Sequence, residues 1–372
     1  MRTPLESGET VPPARRLKIV IDARFTRTDH HDGISRYGAS LIAAVAPLAD
    51  VTMLISDEHQ LALLPDVPYL KINSPLSPRE LFVARQVNRL APDVVFCPMQ
   101  TMGSWGRRYA LVLTLHDLIY YEHPAPPGFL PAPVRVLWRL YHKAYWPQRL
   151  LLNRADVVAT ISRTTEALMH RHQLTKRPVR IVGNAPQADR MPRNPGTAPE
   201  KTLIYMGSFM PYKNVETLIR GMAELDGFAL HLLSRITEPR RTELEWLIPT
   251  GAEVIFHNGV SDAEYDELLL RTTALVTLSK AEGYGLPLVE AMALGTPVVV
   301  SDTPIFREVG GTAASYVPAD SPAAFASQVL ALADPDVWSQ CSVDSVRQAA
   351  RFSWADSARE LLDIATELTY QR

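Results

Sequence analysis

The chain has 372 residues, 47% of them hydrophobic and 21% charged, with 38 basic against 40 acidic side chains. That length suits two globular domains, the composition is not that of a disordered or fibrous chain, and a net charge of −2 argues against a globally basic nucleic-acid binder. The two cysteines, Cys97 and Cys341, form neither a CxxC nor a Cys/His cluster, which sets aside a disulfide framework and a zinc module and fits a reducing cytoplasm.

Residues 1–16 carry prolines and arginines without an apolar stretch, so they read as a disordered leader and not as a secretory signal. No run long enough to span a bilayer follows. Leu17–Asp22, LKIVID, has the pattern of a strand buried on both faces of a parallel sheet. A polar loop, Thr26–Gly33, leads to a helix opening at Gly33-Ile34-Ser35, with Leu41, Ile42 and Val45 on its apolar face. Strands are expected at Val51–Ile55, Asp93–Phe96 and Ala110–Leu115, and a helix over Glu80–Leu90.

Residues 124–155 break this pattern. They contain no Asp or Glu, and Arg135, Arg139, Lys143, Arg149 and Arg154 are interleaved with Trp138, Tyr141, Tyr145 and Trp146. Two readings stand side by side: a cationic, aromatic face against anionic lipid headgroups or a lipid-diphosphate acceptor, or an ordinary helix with core aromatics and solvated arginines. The alternation then resumes with a strand at Asp156–Ile161, a helix at Thr164–His172 and a strand at Val179–Val182.

Residues 185–200, APQADRMPRNPGTAPE, hold four prolines and read as a linker, with 188–200 as its body and a closing hinge within it. Beyond it, strands at Thr202–Met206, His231–Leu233, Glu253–His257, Ala274–Leu278 and Pro297–Ser301 alternate with helices. Three helices, the last at Ala355–Leu368, end the chain. The expectation is an α/β protein of two Rossmann-like domains, 17–187 and 201–354, facing each other across a cleft.

The segment Ser279–Pro297, SKAEGYGLPLVEAMALGTP, carries the most chemistry. A strand ends at Ser279, glycines 283 and 285 permit close backbone approach to a ligand, and Pro287 suits a first helical turn. The positive helix end suits a phosphate. Glu282 and Glu290 flank that anion site; carboxylates repel phosphate but accept from the hydroxyls of a ribose and a hexose, as a sugar nucleotide presents them.

The E-x7-E spacing within EGYGLPLVEAMALGTPVVVSD resembles the retaining family 4 glycosyltransferases of GT-B fold. The resemblance covers most of the chain. It implies that Glu282 contacts the transferred sugar and Glu290 the ribose, with Gly283, Tyr284, Gly285 and Leu286 along the diphosphate and sugar. Gly207–Asn214, GSFMPYKN, resembles the family's G-x-x-x-x-[RK]-K-[GN] element, so Gly207 and Ser208 join the donor site and Lys213 pairs with the diphosphate, stabilising the leaving group. Where many members have an arginine, this chain has Ser208 and Tyr212, so Lys213 acts with helix dipoles alone or with a substitute such as Arg235.

In DGISRY, Gly33 permits close approach to the donor phosphates, and since this loop faces the acceptor side in related enzymes, the resemblance implies Ile34, Arg36 and Tyr37 there. In TLHDLIYYE, His116 matches a position that the family often keeps near the transferred sugar, so the resemblance implies a neutral imidazole donating to a hydroxyl there and Asp117 toward the acceptor. Val260 matches a position around the base. The helix 355–372 resembles the GT-B terminal helix that crosses back to the first domain.

Catalytic roles thus fall to His116, Lys213 and Glu282, with no metal or other cofactor. GISRY and HDLIYYEHP look most like the mannosyltransferase branch, so GDP-mannose is the expected donor, with UDP-glucose, UDP-GlcNAc and dTDP-rhamnose open. The expected acceptor is a glycan or lipid-linked molecule at the cytoplasmic membrane face, in polysaccharide or glycolipid assembly. An epimerase of the same fold and a non-catalytic sugar-nucleotide-binding subunit are the rival readings.

Overall fold

A computed structural model describes residues 15–124, 132–187 and 190–371. The first sheet contains β1 (Lys18–Asp22), β2 (Asp50–Ile55), β3 (Tyr69–Lys71), β4 (Val94–Cys97), β5 (Ala110–Leu115), β6 (Val157–Thr160) and β7 (Val179–Ile181). The second contains β8 (Glu200–Tyr205), β9 (Ala229–Leu232), β10 (Glu253–Phe256), β11 (Thr272–Thr277), β12 (Val298–Ser301) and β13 (Ser315–Val317). Their orders are 3-2-1-4-5-6-7 and 10-9-8-11-12-13, parallel throughout. Central strands such as β4, β5 and β6 are buried along their whole length, which is why they read as unbroken apolar runs.

The helices of the first half are α1 (Gly33–Val45), α2 (Val83–Val87), α3 (Ile119–Glu122), α4 (Ala132–Tyr141), α5 (Trp146–Leu152) and α6 (Arg163–Arg171). Those of the second half are α7 (Val215–Gly221), α8 (Glu238–Glu245), α9 (Asp262–Arg271), α10 (Leu286–Ala293), α11 (Pro304–Gly310), α12 (Pro322–Ala331), α13 (Pro335–Ala349) and α14 (Trp354–Tyr370). No helix among the described residues is long and apolar enough to cross a membrane.

Strand order reverses between β1 and β4 in one sheet and between β8 and β11 in the other. Open α/β sheets bind ligands beyond the carboxyl ends of strands at such points. The loops after β1, β5, β8 and β11 are the segments singled out by sequence. One buried cluster runs from β1 (Ile21) and α1 (Tyr37) through α14 (Leu361, Ile364) into the second domain (Leu288, Phe306), so the two halves share a core beneath the cleft.

Several elements differ from expectation. The helix expected over Glu80–Leu90 is three short pieces, with α2 between two 3-10 turns. Glu80 is instead drawn to Arg24 and to the Gly103 N–H, 3.0 Å away, which ties the start of that segment to other loops. The short strands β3 and β13 and the helix α11 carry too little periodicity to be read locally.

The leader expected at 1–16 lies outside the described residues up to residue 14. Arg15 donates to Asp93 and Arg16 to the Pro47 carbonyl. Of the linker, 188 and 189 lie outside as well, and 190–199 is not free. Arg193 donates to the Thr272 carbonyl, its main-chain N–H bonds Leu294, and its guanidinium sits 4.4 Å over the Trp338 ring. The proline-rich segment is therefore laid on the second domain. The returning helix α14 packs on α1 and holds 183–186 through Ser357 to the Gly183 carbonyl and the Trp354 indole to Pro186. Arg372, the end of the expected crossing helix, lies outside the described residues.

Candidate functional site

A cavity of about 560 Å³ lies between the domains at both switch points. Twelve residues singled out by sequence line it: Gly33 and Ile34 from the β1 loop, His116 and Asp117 after β5, Gly207, Ser208 and Lys213 after β8, and Glu282 through Leu286 after β11.

The two loops from the second domain are locked together. Asn214, in a left-handed conformation at φ 55°, donates to the Leu278 and Ala319 carbonyls, and the Lys280 N–H bonds the Tyr212 carbonyl. That lock brings Lys213 Nζ to 2.5 Å from Glu282 Oε2, with both side chains largely buried. Gly207 leaves room for the Tyr205 hydroxyl, which donates to the Ser208 carbonyl. Gly285 opens α10 at φ 92°, with the Phe306 ring 3.0 Å from where a Cβ would stand, so glycine is required there on two counts.

From the facing domain, Asp117 closes on the same loop: a Cβ on Gly283 would stand 2.9 Å from Asp117 Oδ2. Burial, with help from Glu282, raises the Asp117 carboxyl above the usual range, though its Oδ1 accepts from the Ile119 N–H. Burial lowers the His116 imidazole. Its Nε2 is 2.7 Å from the Pro98 carbonyl, an oxygen that only accepts, so Nε2 carries the hydrogen and Nδ1 of the neutral ring is an acceptor. The expected donation from His116 to a hydroxyl does not fit this geometry: Nε2 is engaged by Pro98, and Nδ1 of the neutral ring can only accept.

Four expected site residues do not line this cavity. Tyr37, expected on the acceptor side, is fully buried, its hydroxyl donating to the Val182 carbonyl and its ring meeting His116 edge-on at 5.1 Å; it supports His116 from the core. Val260 packs against the core. Arg36 spans the domains to Asp262 at 3.0 Å and lies 3.9 Å from Glu290. Glu290 is buried, and burial raises its carboxyl despite Arg36 and Arg190 nearby. In this state Glu290 faces Arg36 and not open cleft. Arg235, the suggested substitute cation, is exposed and 3.9 Å from Asp29, off the cavity.

Sequence reasoning missed Arg27, which lines the cavity and is held by Asp32 at 2.7 Å. Asp32 also caps α1, its Oδ1 accepting from the Ser35 N–H. The signal was present: an acid directly before a helix start is a common cap. The β1 loop is further fixed by buried Gln60, which donates to the Arg24 and Thr26 carbonyls; nothing local marks that role. In the basic stretch, whose residues 125–131 lie outside the described set, Trp138 meets Tyr120 at 4.8 Å and Tyr145 stacks on Tyr121 at 4.4 Å. These rings turn inward, whereas Leu137 and Trp146 are exposed.

Residues 31–190 match the family described as Glycosyltransferase Family 4, and residues 187–336 match Glycosyl transferases group 1. This chain belongs to the family 4 glycosyltransferases. It is 22% identical over 313 residues to the O-antigen chain mannosyltransferase RfbU of Salmonella typhimurium, spanning 80% of this chain and 86% of that one. It is 25% identical over 281 residues to O-antigen chain mannosyltransferase B of Escherichia coli, spanning 68% and 69%. HepE of Anabaena, solved in complex with UDP and glucose, matches with a TM-score of 0.71 at 16% identity, over 95% of this chain and 100% of that one. The last likeness is one of fold: both have GT-B architecture. This family 4 chain is accordingly a hexosyltransferase, with its cavity at the junction of the two matched regions.

Proposed function

We propose that this glycosyltransferase takes mannose from GDP-mannose and transfers it, with retention of anomeric configuration, to a glycan or lipid-linked acceptor in polysaccharide or glycolipid assembly. The observation that carries the donor site is the pairing of Lys213 with Glu282 at the mouth of α10, opposite His116 and Asp117. Two relatives bearing the name mannosyltransferase support the choice of sugar.

Each group has a task in this reading. Lys213 and the positive end of α10 stabilise charge growing on the diphosphate as it leaves, so no metal is called for. Glu282 accepts from sugar hydroxyls and, with Lys213, fixes the donor's orientation. His116 accepts a further hydroxyl through Nδ1. The leaving phosphate oxygen takes the acceptor's proton on the face from which it departs, while the sugar passes through an oxocarbenium-like state. In this reading the ribose hydroxyls compete with Arg36 for the Glu290 carboxylate as donor binds.

Contact with an anionic membrane face belongs to the same reading. On α4 and α5, Val136, Leu137, Leu140, Trp146 and Leu150 are exposed, beside Arg139, Lys143 and Arg149. Apolar burial and about 1 kcal/mol per basic residue near anionic lipid would act together.

Calorimetric titration with GDP, UDP and dTDP, without added metal, tests the donor. Preference for GDP supports mannose. Preference for UDP or dTDP overturns it, and binding of none overturns the donor site at Lys213, Glu282 and Glu290.

A further inference from the structure

Among the described residues lining the donor cavity, the cations are Lys213 from the second domain and Arg27 from the first. Burial lowers the His116 imidazole and keeps it neutral there. Asp32, Asp117 and Glu282 line the same space. The free cavity is therefore not a positive one, and a diphosphate that enters it depends on each cation that can turn toward it.

The two cations differ in how far they are engaged. Lys213 is largely buried and bonded to Glu282. Arg27 is half-exposed, and its guanidinium uses Nε alone, which donates to Asp32 Oδ2 at 2.7 Å. Its Nη1 and Nη2 have no hydrogen bond or ion pair among the described residues. A guanidinium held at Nε keeps its terminal fork, which matches two oxygens of one phosphate. The backbone beneath it is anchored. The Arg27 N–H bonds Ser35 Oγ at 3.3 Å, the Thr26 carbonyl accepts from buried Gln60 at 2.6 Å, and Asp32 caps α1. Asp32 also lies close enough to His116 for its charge to act on that ring, so the Arg27–Asp32 pair stands on the His116 side of the cavity. In the reading above that is the sugar end of the donor.

We infer that Arg27 is a further catalytic residue of the transfer: its free Nη1 and Nη2 hold the sugar-bearing phosphate of the donor from the first domain, with Lys213 holding the diphosphate from the second. This rests on the glycosyltransferase reading above. As the bond from the anomeric carbon to the phosphate oxygen breaks, its electron pair stays on that oxygen. The acceptor hydroxyl forms the new bond to the anomeric carbon and gives its proton to the same phosphate. Charge thus grows between two cations already in place on facing domains, an arrangement that stabilises the leaving group without moving at the moment of reaction. A donor held by the second domain alone lacks half of that stabilisation.

The test is calorimetric titration of the full chain with GDP, UDP and dTDP, each beside its monophosphate. Arg27→Gln is expected to weaken the diphosphate that binds by about tenfold or more, and its monophosphate by less than about threefold. The retained monophosphate affinity reports that the variant is folded. Asp32→Asn separates contact from bracing. Asparagine still caps α1 but no longer competes for the Arg27 charge, so the diphosphate should bind more tightly. If Arg27 only braced the loop through Asp32, both variants would weaken binding alike, and that result overturns the inference. Equal weakening of mono- and diphosphate by Arg27→Gln overturns it too. Undiminished diphosphate binding in Arg27→Gln, beside weakened binding in Lys213→Ala, refutes this role and leaves the donor site standing. Weakening by Arg27→Gln with none by Lys213→Ala keeps Arg27 and refutes the role given to Lys213. Binding of no nucleotide by the unaltered chain overturns both.

Discussion

Replacing Lys213 with alanine separates the donor-site argument from mere structural support. In the free chain the ammonium is hydrogen-bonded to Glu282, with side chains 13% and 19% exposed. Its removal leaves a largely buried carboxylate without its partner, at a cost of about 1–3 kcal/mol. In a chain of this size that lowers Tm by a few degrees. If Lys213 also holds the diphosphate, a charge-assisted bond is lost from the bound state, weakening GDP about 10- to 100-fold. Turnover falls further, by about 10²–10³, if the ammonium acts chiefly as charge develops on the leaving group. The assays are calorimetry with GDP and GMP, and thermal unfolding of K213A, E282A and the double variant. The double variant should regain part of the lost Tm, because no unpaired carboxylate remains, while GDP binding stays weak. GMP, with one phosphate fewer, should lose less than GDP. The reasoning is refuted if K213A binds GDP within threefold of the unaltered chain, or if GMP and GDP weaken equally.

Other consequences follow from the same geometry. Burial raises the Asp117 carboxyl, so the native chain binds more protons there than the unfolded one and stability falls as pH rises through that range; Asp117→Asn, which keeps the acceptor for Ile119, should raise Tm at neutral pH while reducing transfer, and an unchanged or lower Tm would contradict this. For His116 the sign is opposite. Its pKa is lowered by burial, so below about pH 6.5 the unfolded chain takes up a proton that the native ring resists, and stability is lost as pH falls. His116→Gln, retaining a donor for Pro98, should flatten the loss of Tm between pH 7 and 5. Gly285→Ala forces a side chain into φ 92° against Phe306, and should cost about 1–3 kcal/mol in chemical denaturation with loss of nucleotide binding. Leu137→Glu with Leu140→Glu should abolish sedimentation with anionic vesicles and leave GDP binding unchanged; persistent sedimentation would remove α4 from the membrane reading.

Much of the site was legible because its parts are local. The loop after β11 joins a buried strand to a helix through two glycines and a proline, and such short-range patterns follow from backbone sterics and hydrophobic periodicity. The same holds for the alternation of strands and helices and for the proline-rich division between the sheets. Twelve of the proposed residues meet in one cavity because the loops that carry them all leave carboxyl ends of strands.

What sequence could not assign were pairings between distant segments. Lys213 and Glu282 are 69 positions apart, and Arg36 and Asp262 are 226 apart. Tyr37 sits in a motif that faces the cleft, yet the helix turns its ring into the core beneath His116. His116 is recognisable as a residue, but only the Pro98 carbonyl, 18 positions away, settles which ring nitrogen carries the hydrogen. Glu290 lies on a helix start readable from sequence, while the charge it faces, Arg36, comes from the other domain. Periodicity and turn chemistry act over a few residues and are written in the chain itself. Burial, protonation and charge pairing depend on which surfaces meet in three dimensions, and in this protein two domains had to close on each other to decide them.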